Sequence, residues 1–210
     1  MPHAGHTYDR IAAHFSKTRE HAWPEIESFL DGRTGERGLD LGCGNGRHAE
    51  VLADHADRVI GVDASTGLLA EAADRAAERG FDADLVGGDA AAVPLRTDTV
   101  DLAVYVATLH HLRPRERRVG SLDELARVLA PGGRALVSAW STEHDRFADE
   151  ETNGSGLDTE IDWTLPGGET VGRFYHVYDP GEFEADIQES ELQLIEWELS
   201  SGNCYAVVGP

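Results

Sequence analysis

Short apolar runs alternate with segments of helical periodicity through the middle of this chain. The strand-like runs lie at about 37–41, 58–63, 82–87, 100–107 and 134–140. The helix-like segments between them lie at about 48–56, 65–79 and 115–129. A Ser65 cap and a Gly80 stop bound the second of these helices. This alternation predicts right-handed βαβ units that build a parallel sheet.

Both ends of the chain extend this core. Helical spacing predicts a helix over 7–18, and a second short helix begins at Pro24. The chain closes with an extended segment at 174–178, a helix at 180–189 and strands at 192–198 and 203–208. The expected fold is α/β: a doubly wound, seven-stranded Rossmann-like sheet in the usual order 3-2-1-4-5-7-6, with helices on both faces. We expect one domain over 1–210, with a helical addition at 1–36 and an acidic insertion at 141–172, which has little periodicity and which we interpret as a candidate mobile segment.

Glycines 42, 44 and 46 follow the first predicted strand at alternate positions. Glycine allows a sharp turn and close approach to a ligand, and the following helix offers unpaired N–H groups. A dinucleotide fingerprint would place its third glycine at position 47, which is Arg47. The alternative is a turn that only packs the helix against the strand.

Acidic residues follow three of the predicted strands. Asp40 would repel a pyrophosphate but suits a cofactor with an ammonium group, and Asp63 lies where a ribose needs an acceptor. Asp89 with Ala90 could bind an adenine amino group, although a solvated turn is the alternative. Together these features resemble the S-adenosylmethionine-binding motifs of class I methyltransferases. The predicted cofactor-binding residues are Asp40, Gly42, Cys43, Gly44, Gly46, Asp63, Asp89, Ala90 and Ala107.

The charge composition indicates the salt conditions in which the protein works. Acids outnumber bases 39 to 18, the net charge is −21, and Lys17 is the one lysine. Dispersed acids with almost no lysine favour a protein from a halophilic archaeon, because salt screens self-repulsion. The charge therefore does not exclude an RNA substrate. With no long apolar run and no basic leader, we expect a cytoplasmic protein without a membrane segment.

Sequence runs outside the glycine loop support a more specific resemblance. The first is Tyr8-Asp9-x-Ile11-Ala12-x-His14-Phe15-Ser16-x-Thr18-Arg19-x-x-x-Trp23-Pro24. Others are His110-His111-Leu112, Arg117-Arg118 and Arg173-Phe174-Tyr175-His176-Val177. These resemble the tRNA wobble-uridine methyltransferases, which esterify 5-carboxymethyluridine, over nearly the whole chain. Two departures are Cys204 after Asn203, where the family usually has tryptophan, and the short acidic insertion.

The resemblance implies a carboxylate acceptor in tRNA. A carboxylate is ionised at neutral pH and needs no general base, but it needs a cation, for which Arg19 is the candidate. A surface salt bridge is the alternative for Arg19. His110 and His111 complete the predicted catalytic set; adjacent positions on a strand end face opposite ways, so one of them is expected to contact substrate and which one is left open. They are not a metal pair, because ligand partners at suitable spacing are missing. The predicted substrate-binding residues, any of which could instead be core, are Tyr8, Trp23, Arg173, Tyr175 and His176, with Phe174 as a further stacking candidate.

Two surfaces are expected to bind macromolecules. Arg113, Arg115, Arg117 and Arg118 form a candidate RNA-backbone patch, or a solvated helix face paired with Glu116. The family resemblance implies a small zinc-binding activator protein. We expect it to dock near Leu85, on the edge strand formed by Asp82, Ala83, Asp84, Leu85 and Val86. A small-molecule or protein methyltransferase, and a cofactor-binding regulatory scaffold, are the competing functions.

Overall fold

A computed structural model describes residues 4–150 and 154–210. Its strands are β1 (Gly35–Leu41), β2 (Ala56–Asp63), β3 (Asp84–Gly87), β4 (Val100–Val106), β5 (Leu129–Trp140), β6 (Leu157–Thr164), β7 (Thr170–Val177), β8 (Gln193–Ser200) and β9 (Asn203–Gly209). Its α-helices are α1 (Ala4–Lys17), α2 (Pro24–Leu30), α3 (Arg47–Leu52), α4 (Thr66–Arg79), α5 (Arg115–Val128) and α6 (Pro180–Glu189). None of the helices in the described ranges is long and apolar enough to cross a bilayer.

Seven strands form one mixed sheet in the order β3-β2-β1-β4-β5-β9-β8. Strands β1 to β5 are mutually parallel, and β9 lies antiparallel between β5 and β8. One apolar cluster packs the sheet against α5 and α6, and another packs it against α2 and α3. The predicted doubly wound architecture and strand order are confirmed. The carboxyl ends of β1, β2 and β4 therefore meet at one edge, where such sheets bind ligands.

Several predicted boundaries are wrong by a few residues. Pairing between β2 and β3 begins at Ile60 and Asp84, so Asp82 and Ala83 precede the edge strand that was expected to include them. Helix α3 ends at Leu52, because β2 begins at Ala56. Strand β5 begins at Leu129 and not at the predicted Arg134. Its pairing with β4 is irregular at this point: Val100 pairs with Leu129 but Leu102 pairs with Arg134, so residues 130–133 bulge between the two pairs.

The expectation of little periodicity in the insertion is wrong over residues 157–172. Strands β6 and β7 form an antiparallel hairpin whose pairing runs from Leu157 and Val177 to Thr164 and Thr170. In β6 acidic residues alternate with Thr159, Ile161 and Trp163, and Ile161 is buried. This alternation has the period of a strand with one solvated face. Residues 151–153 lie outside the described ranges.

Helix α1 and the hairpin close over the ligand-binding edge of the sheet. Helix α1 packs on α4, where the Asp9 carboxylate accepts hydrogen bonds from the Ser65 hydroxyl and the Gly67 amide. The Trp163 indole donates to His14 Nδ1 at 3.0 Å, and Arg10 pairs with Glu169 at 2.7 Å. The N-terminal addition and the insertion thus form two walls of the same site.

Candidate active site

A cavity lies at the carboxyl ends of β1, β2 and β4, beneath the start of α1. It encloses about 900 Å³, part of which is open to solvent. Eight of the nine predicted cofactor-binding positions lie at the cavity or directly behind it. The residues of this set that line it are Gly42, Cys43, Gly44, Asp63, Asp89, Ala90 and Ala107.

The glycine loop adopts backbone conformations that favour glycine. Gly42 has φ of 78°, and a Cβ atom there would lie 2.1 Å from the Thr108 hydroxyl oxygen. The amides of Gly42 and Cys43 both donate to the Val62 carbonyl, which fixes the loop against β2. Gly46 has φ of 77° and caps α3, but it does not line the cavity. The loop thus exposes backbone to the cavity at Gly42 and Gly44.

Asp63 joins two loops of the cavity wall. Its carboxylate accepts one hydrogen bond from the Gly44 amide and one from the Ser65 amide, both at 2.8 Å. Burial raises the pKa of Asp63, and these amides offset part of that rise. Each oxygen retains a further lone pair. Asp63 can therefore accept a hydrogen bond from a ligand while it holds the glycine loop.

Asp40 lies behind the loop and does not line the cavity. It is 1% exposed, and neither carboxylate oxygen forms a hydrogen bond of normal geometry. Burial raises its pKa to about 7 and the Asp63 charge adds to the rise, whereas the nearby Ala49 amide and the Arg47 charge oppose it. A buried carboxyl without a well-formed hydrogen bond is costly in its charged form. A ligand that carries a positive group next to Asp40 would stabilise the charged form.

Asp89 is tied to helix α5 as well as to its own turn. Its carboxylate accepts a hydrogen bond from the Ala91 amide at 2.9 Å and pairs with Arg117 at 2.5 Å.

Cys43 and Ala107 complete the predicted set at the cavity wall. Burial raises the pKa of Cys43, so its thiol stays protonated and is no nucleophile. Ala107 has φ of 54°, an uncommon value outside glycine, and this turn directs Thr108 toward Gly42.

The two histidines lie on a 3₁₀ helix, Leu109–His111, and not on a strand end as the sequence suggested. His110 is buried, and its Nδ1 accepts a hydrogen bond from the Trp140 amide. His111 lines the cavity, donates from Nδ1 to the Phe174 carbonyl and accepts from the Tyr8 hydroxyl at Nε2, each at 2.8 Å. Burial lowers the pKa of His111 to about 4. His111 is therefore neutral near pH 7.

A second cavity of about 970 Å³, measured with its open mouth, adjoins the first, and both are lined by Tyr8, His111 and Leu112. Arg173 and Phe174 line the second cavity, and Tyr175 is buried next to Arg173. His176 points elsewhere and binds Asp158 and Glu182. The structure thus gathers four of the candidate acceptor-binding side chains and separates His176 from them.

Arg19 and Trp23 lie outside both cavities. The Arg19 guanidinium is 5.2 Å from the Phe15 ring and 5.7 Å from the Trp163 ring, and it donates to the Thr18 carbonyl. Trp23 packs against Arg47, His48 and Tyr205. Both side chains thus pack behind residues that line the first cavity, namely Phe15 for Arg19 and Arg47 and His48 for Trp23, and neither lines a cavity itself. The roles of Arg19 in catalysis and of Trp23 in substrate binding stay predictions.

The expected four-arginine patch does not form one surface. Arg118 is buried and pairs with Glu182 and Asp186, while Arg115 pairs with Asp186 and Glu189. The patch of four arginines is wrong because Arg118 is buried, and the alternative pairing with Glu116 is not seen either, since the partners of Arg115 and Arg118 come from α6. Arg113 and Arg117 remain at the second cavity.

Several residues that line the cofactor cavity were not predicted from the sequence, among them Phe15, Thr108 and Asn45. The Asn45 side-chain amide also donates to the Arg19 carbonyl at 2.9 Å. Asn45 thereby ties the end of α1 to the glycine loop. Its place between two glycines was the available signal. Among residues 4–150 and 154–210, no group of three possible ligands could hold a metal ion.

Comparison with known proteins identifies the class of enzyme. The model of the methyltransferase domain matches residues 39–137. A tRNA (carboxymethyluridine(34)-5-O)-methyltransferase of Mus musculus is 41% identical over 68% of this chain and 20% of its own length. The enzyme of the same name in Saccharomyces cerevisiae is 36% identical over 76% of this chain and 55% of its own. The chain thus spans between a fifth and about half of these two relatives.

A further relative is matched over most of both chains. It is a putative methyltransferase of Encephalitozoon cuniculi, 34% identical over 81% of this chain and 78% of its own. Among solved structures, CcbJ methyltransferase from Streptomyces caelestis superposes with a TM-score of 0.74 at 19% identity, over 99% and 97% of the two chains. A complex of the Haloferax volcanii Trm112 methyltransferase activator with a putative methyltransferase gives 0.72 at 17%, over 98% and 96%.

The cavity agrees with this match. Its glycine loop, the Asp63 acceptor and the unpaired Asp40 charge fit a nucleoside cofactor that carries a positive group. The chain belongs to the S-adenosylmethionine-dependent methyltransferases.

Proposed function

We propose that this enzyme methylates the carboxylate of a carboxymethyl-modified wobble uridine in tRNA. The observation that carries the proposal is the second cavity, which opens beside the cofactor cavity and is lined by Arg113, Arg117 and Arg173 together with Glu160. Arg117 also pairs with Asp89, whereas Arg173 has a buried Nε without a hydrogen-bond partner and makes no ion pair among the residues that the structure describes, so this cavity offers a cation to an anionic group. The names of the mouse and yeast relatives support the same acceptor.

The acceptor side is suited to a group that is already ionised. A hydroxyl or amine acceptor would have to lose a proton during transfer, whereas a carboxylate does not. The pKa of His111 is near 4, and its Nε2 already accepts from Tyr8. Burial raises the pKa of Tyr8, so its hydroxyl is protonated. Neither residue is suited to act as a general base near pH 7, and alignment is what the site offers.

The residues of the first cavity would hold the cofactor. Asp63 would accept from the ribose, the glycine loop would approach the amino-acid part, and Ala90 would pack beside the adenine. Bound S-adenosylmethionine supplies a methyl group on a positively charged sulfur, which retains the electrons of the broken bond when an acceptor oxygen takes the methyl. His111 and Tyr8 stand between the two cavities and would position that oxygen.

The test is methyl transfer to tRNA that contains carboxymethyluridine at position 34, followed by mass spectrometry of the nucleosides. We expect the methyl ester to form, and a deletion strain to accumulate the free acid. Matched tRNA with unmodified uridine is the control and should gain no methyl group. Turnover on small carboxylic acids with none on tRNA would contradict the proposal.

We also propose a small zinc-binding activator protein that docks along β3. The outer edge of β3 ends the sheet, and its Leu85 and Val86 are half-buried. The Haloferax volcanii complex, whose methyltransferase shares this fold, supports an activator in general. The opposite edge competes for this role, because Ile195, Trp197 and Leu199 of β8 are 43–45% exposed.

Paired charge substitutions separate the two edges. Leu85→Arg should abolish co-purification with the activator, whereas Trp197→Arg should leave it unchanged. The reverse pattern would place the partner on β8 and contradict the proposed docking edge.

We further propose that the protein comes from a halophilic archaeon and works in concentrated salt in the cytoplasm. The support is its acidic surface, with 39 acids against 18 bases. Screening of this self-repulsion should raise the unfolding temperature between 0.1 M and 2 M potassium chloride. An unfolding temperature that does not rise with salt would contradict this proposal.

A further inference from the structure

Arg173 is a buried cation without an acidic partner. Its residue is 7% exposed, and its Nε atom has no hydrogen-bond partner. Nη1 donates to the Tyr175 hydroxyl at 2.6 Å and approaches the Tyr8 hydroxyl at 3.5 Å. The guanidinium also lies over the rings of Trp163, at 4.9 Å from the centroid, and of Tyr175, at 5.2 Å. Within residues 4–150 and 154–210, no carboxylate lies within 4.0 Å of it.

The other buried arginine shows the usual arrangement. Arg118 is 4% exposed and has two acids within reach: Glu182 at 3.3 Å and Asp186 at 3.7 Å. A charge that is buried without a counter-ion is costly, and an acidic partner offsets part of that cost. The fold therefore compensates Arg118 internally and leaves Arg173 for an anion that comes from outside.

The position of Arg173 specifies where that anion would bind. Arg173 lines the second cavity, and the Tyr8 hydroxyl connects its guanidinium to His111 at the junction with the cofactor cavity. Glu160 lines the same cavity but makes no ion pair with Arg173. An anion held by Arg173 would therefore lie next to the cofactor cavity.

We propose that Arg173 binds the carboxylate of the acceptor and directs one of its oxygens toward the cofactor cavity. The inference rests on the proposed function, and it gives Arg173 the role that sequence reasoning gave to Arg19. A guanidinium suits this role because its donors match both oxygens of a carboxylate. A tRNA phosphate is the other possible anion, but the position beside the cofactor site favours the group that receives the methyl.

The experiment compares Arg173→Gln and Arg173→Lys with the wild-type enzyme. Binding is measured for two tRNAs, one with carboxymethyluridine and one with unmodified uridine at position 34. We expect Arg173→Gln to weaken binding of the carboxymethyl tRNA by about 10- to 100-fold and to leave the unmodified tRNA within about twofold. Arg173→Lys should restore part of the loss. Cofactor affinity should stay unchanged in both variants.

Arg10→Gln is the matched control. Arg10 pairs with Glu169 near the tip of the same hairpin, and its side chain is 59% exposed. Loss of this exposed pair should change neither tRNA affinity by more than about twofold. A similar loss for Arg10→Gln and Arg173→Gln would show that Arg173 only stabilises the hairpin.

Three outcomes would overturn the inference. Equal weakening for both tRNAs would identify a phosphate contact, and unchanged binding would leave Arg173 without the role. A selective loss for Arg19→Gln and none for Arg173→Gln would return the role to Arg19. A further measurement uses only the wild-type enzyme and so does not depend on whether a variant folds. The enzyme should bind the carboxymethyl tRNA at least about 10-fold more tightly than the tRNA with an uncharged carbamoylmethyl group at the same position. Equal binding of the two tRNAs would contradict the inference.

These results stay distinct from a failure of the proposed function. If the wild-type enzyme binds the carboxylate selectively through Arg173 but forms no ester, the proposed reaction is wrong and the anion site stands. If it forms the ester and Arg173 has no selective effect, the reaction stands and the anion site is wrong.

Discussion

The two cavities are built in different ways. The cofactor cavity is formed largely by loops that directly follow adjacent strands, and its walls include backbone atoms of Gly42 and Gly44 and the Asp63 carboxylate. The second cavity, which we propose binds the acceptor and which we call the acceptor cavity, is formed by side chains from distant parts of the chain. Tyr8 and Arg173, whose side chains meet there, are 165 residues apart in sequence.

This difference has a physical cause. Backbone amides at strand ends are placed by the sheet itself, so a short run of glycines and acids is enough to form the site. The acceptor cavity requires α1 and the β6–β7 hairpin to fold over the sheet and meet each other. We therefore expect the two sides to respond differently to substitution: cofactor binding should depend on loop geometry, and acceptor binding should depend on single side chains.

Gly42→Ala should give the largest effect and act on the cofactor side. The added Cβ atom would lie 2.1 Å from the Thr108 hydroxyl oxygen, at a φ that alanine adopts only with strain. We expect S-adenosylmethionine affinity to fall by more than about 100-fold. The loop would have to move to avoid the clash and the strain, and restoring its binding conformation would cost roughly 3 kcal/mol or more of binding free energy. Isothermal titration calorimetry measures the loss.

Gly120→Ala is the control for Gly42→Ala. A Cβ atom at Gly120, on α5, meets no atom within 4 Å, so this variant should bind the cofactor normally and be slightly more stable. Tight cofactor binding by Gly42→Ala would show that the loop does not need this conformation, and the contrast between the two sides would fail.

The same contrast explains what the sequence could predict. The alternation of strands and helices and the glycine loop follow from local patterns, and the strand order is the usual one for such a fold. Gly42 and Gly44 are recognisable within a few residues, and Asp63 is recognisable because it closes the next strand, 19 residues after Gly44. The hairpin was missed because three acids on the solvated face of β6 concealed a period-two pattern with one buried residue, Ile161. The excess of acids in this segment obscured the alternation of buried and exposed positions.

The choice between Arg19 and Arg173 as the cation that binds the acceptor shows a second limit of prediction from sequence. Arg19 and Arg173 both lie in distinctive sequence runs, and nothing in the runs says which is buried. The structure places Arg19 outside both cavities, against the rings of Phe15 and Trp163, and it places Arg173 at the second cavity with no ion pair among the residues that it describes. Whether a charge has a partner is a property of tertiary packing, since the partners of Arg118 lie some 64 residues away.

Asp40 offers an intermediate effect that isolates the cofactor side. Its pKa is about 7 in the folded protein and near 3.8 when unfolded, so the folded state binds more protons between these values. The free energy of unfolding of the cofactor-free protein should therefore fall as pH rises from about 4 to 7, by up to about 4 kcal/mol, and level off above.

Asp40→Asn removes this titration. We expect the variant to lose that part of the pH slope and to be more stable than the wild type at pH 8, as measured by denaturant unfolding from pH 5 to 8. Asp9, Glu124 and Glu182 have lowered pKa values, so their contributions change below this window. Parallel pH profiles for wild type and variant would mean that Asp40 is ionised at neutral pH and paired with a group inside the fold.

Tyr8→Phe should have the smallest effect and should act on the acceptor side. It removes the hydroxyl that donates to His111 and faces Arg173, while the ring remains against Phe15. A buried hydrogen bond contributes about 1 kcal/mol, so we expect kcat/KM for tRNA to fall about 5- to 10-fold and cofactor affinity to stay within about twofold. Tyr205→Phe, at a buried tyrosine packed on α2, is the control and should leave both constants unchanged.

If Tyr8→Phe weakens cofactor binding as much as it slows tRNA methylation, the hydroxyl belongs to both cavities and the two sides are not separable at Tyr8. Loss confined to tRNA methylation would instead fix the boundary between the cavities at this hydroxyl, since Tyr8 lines both.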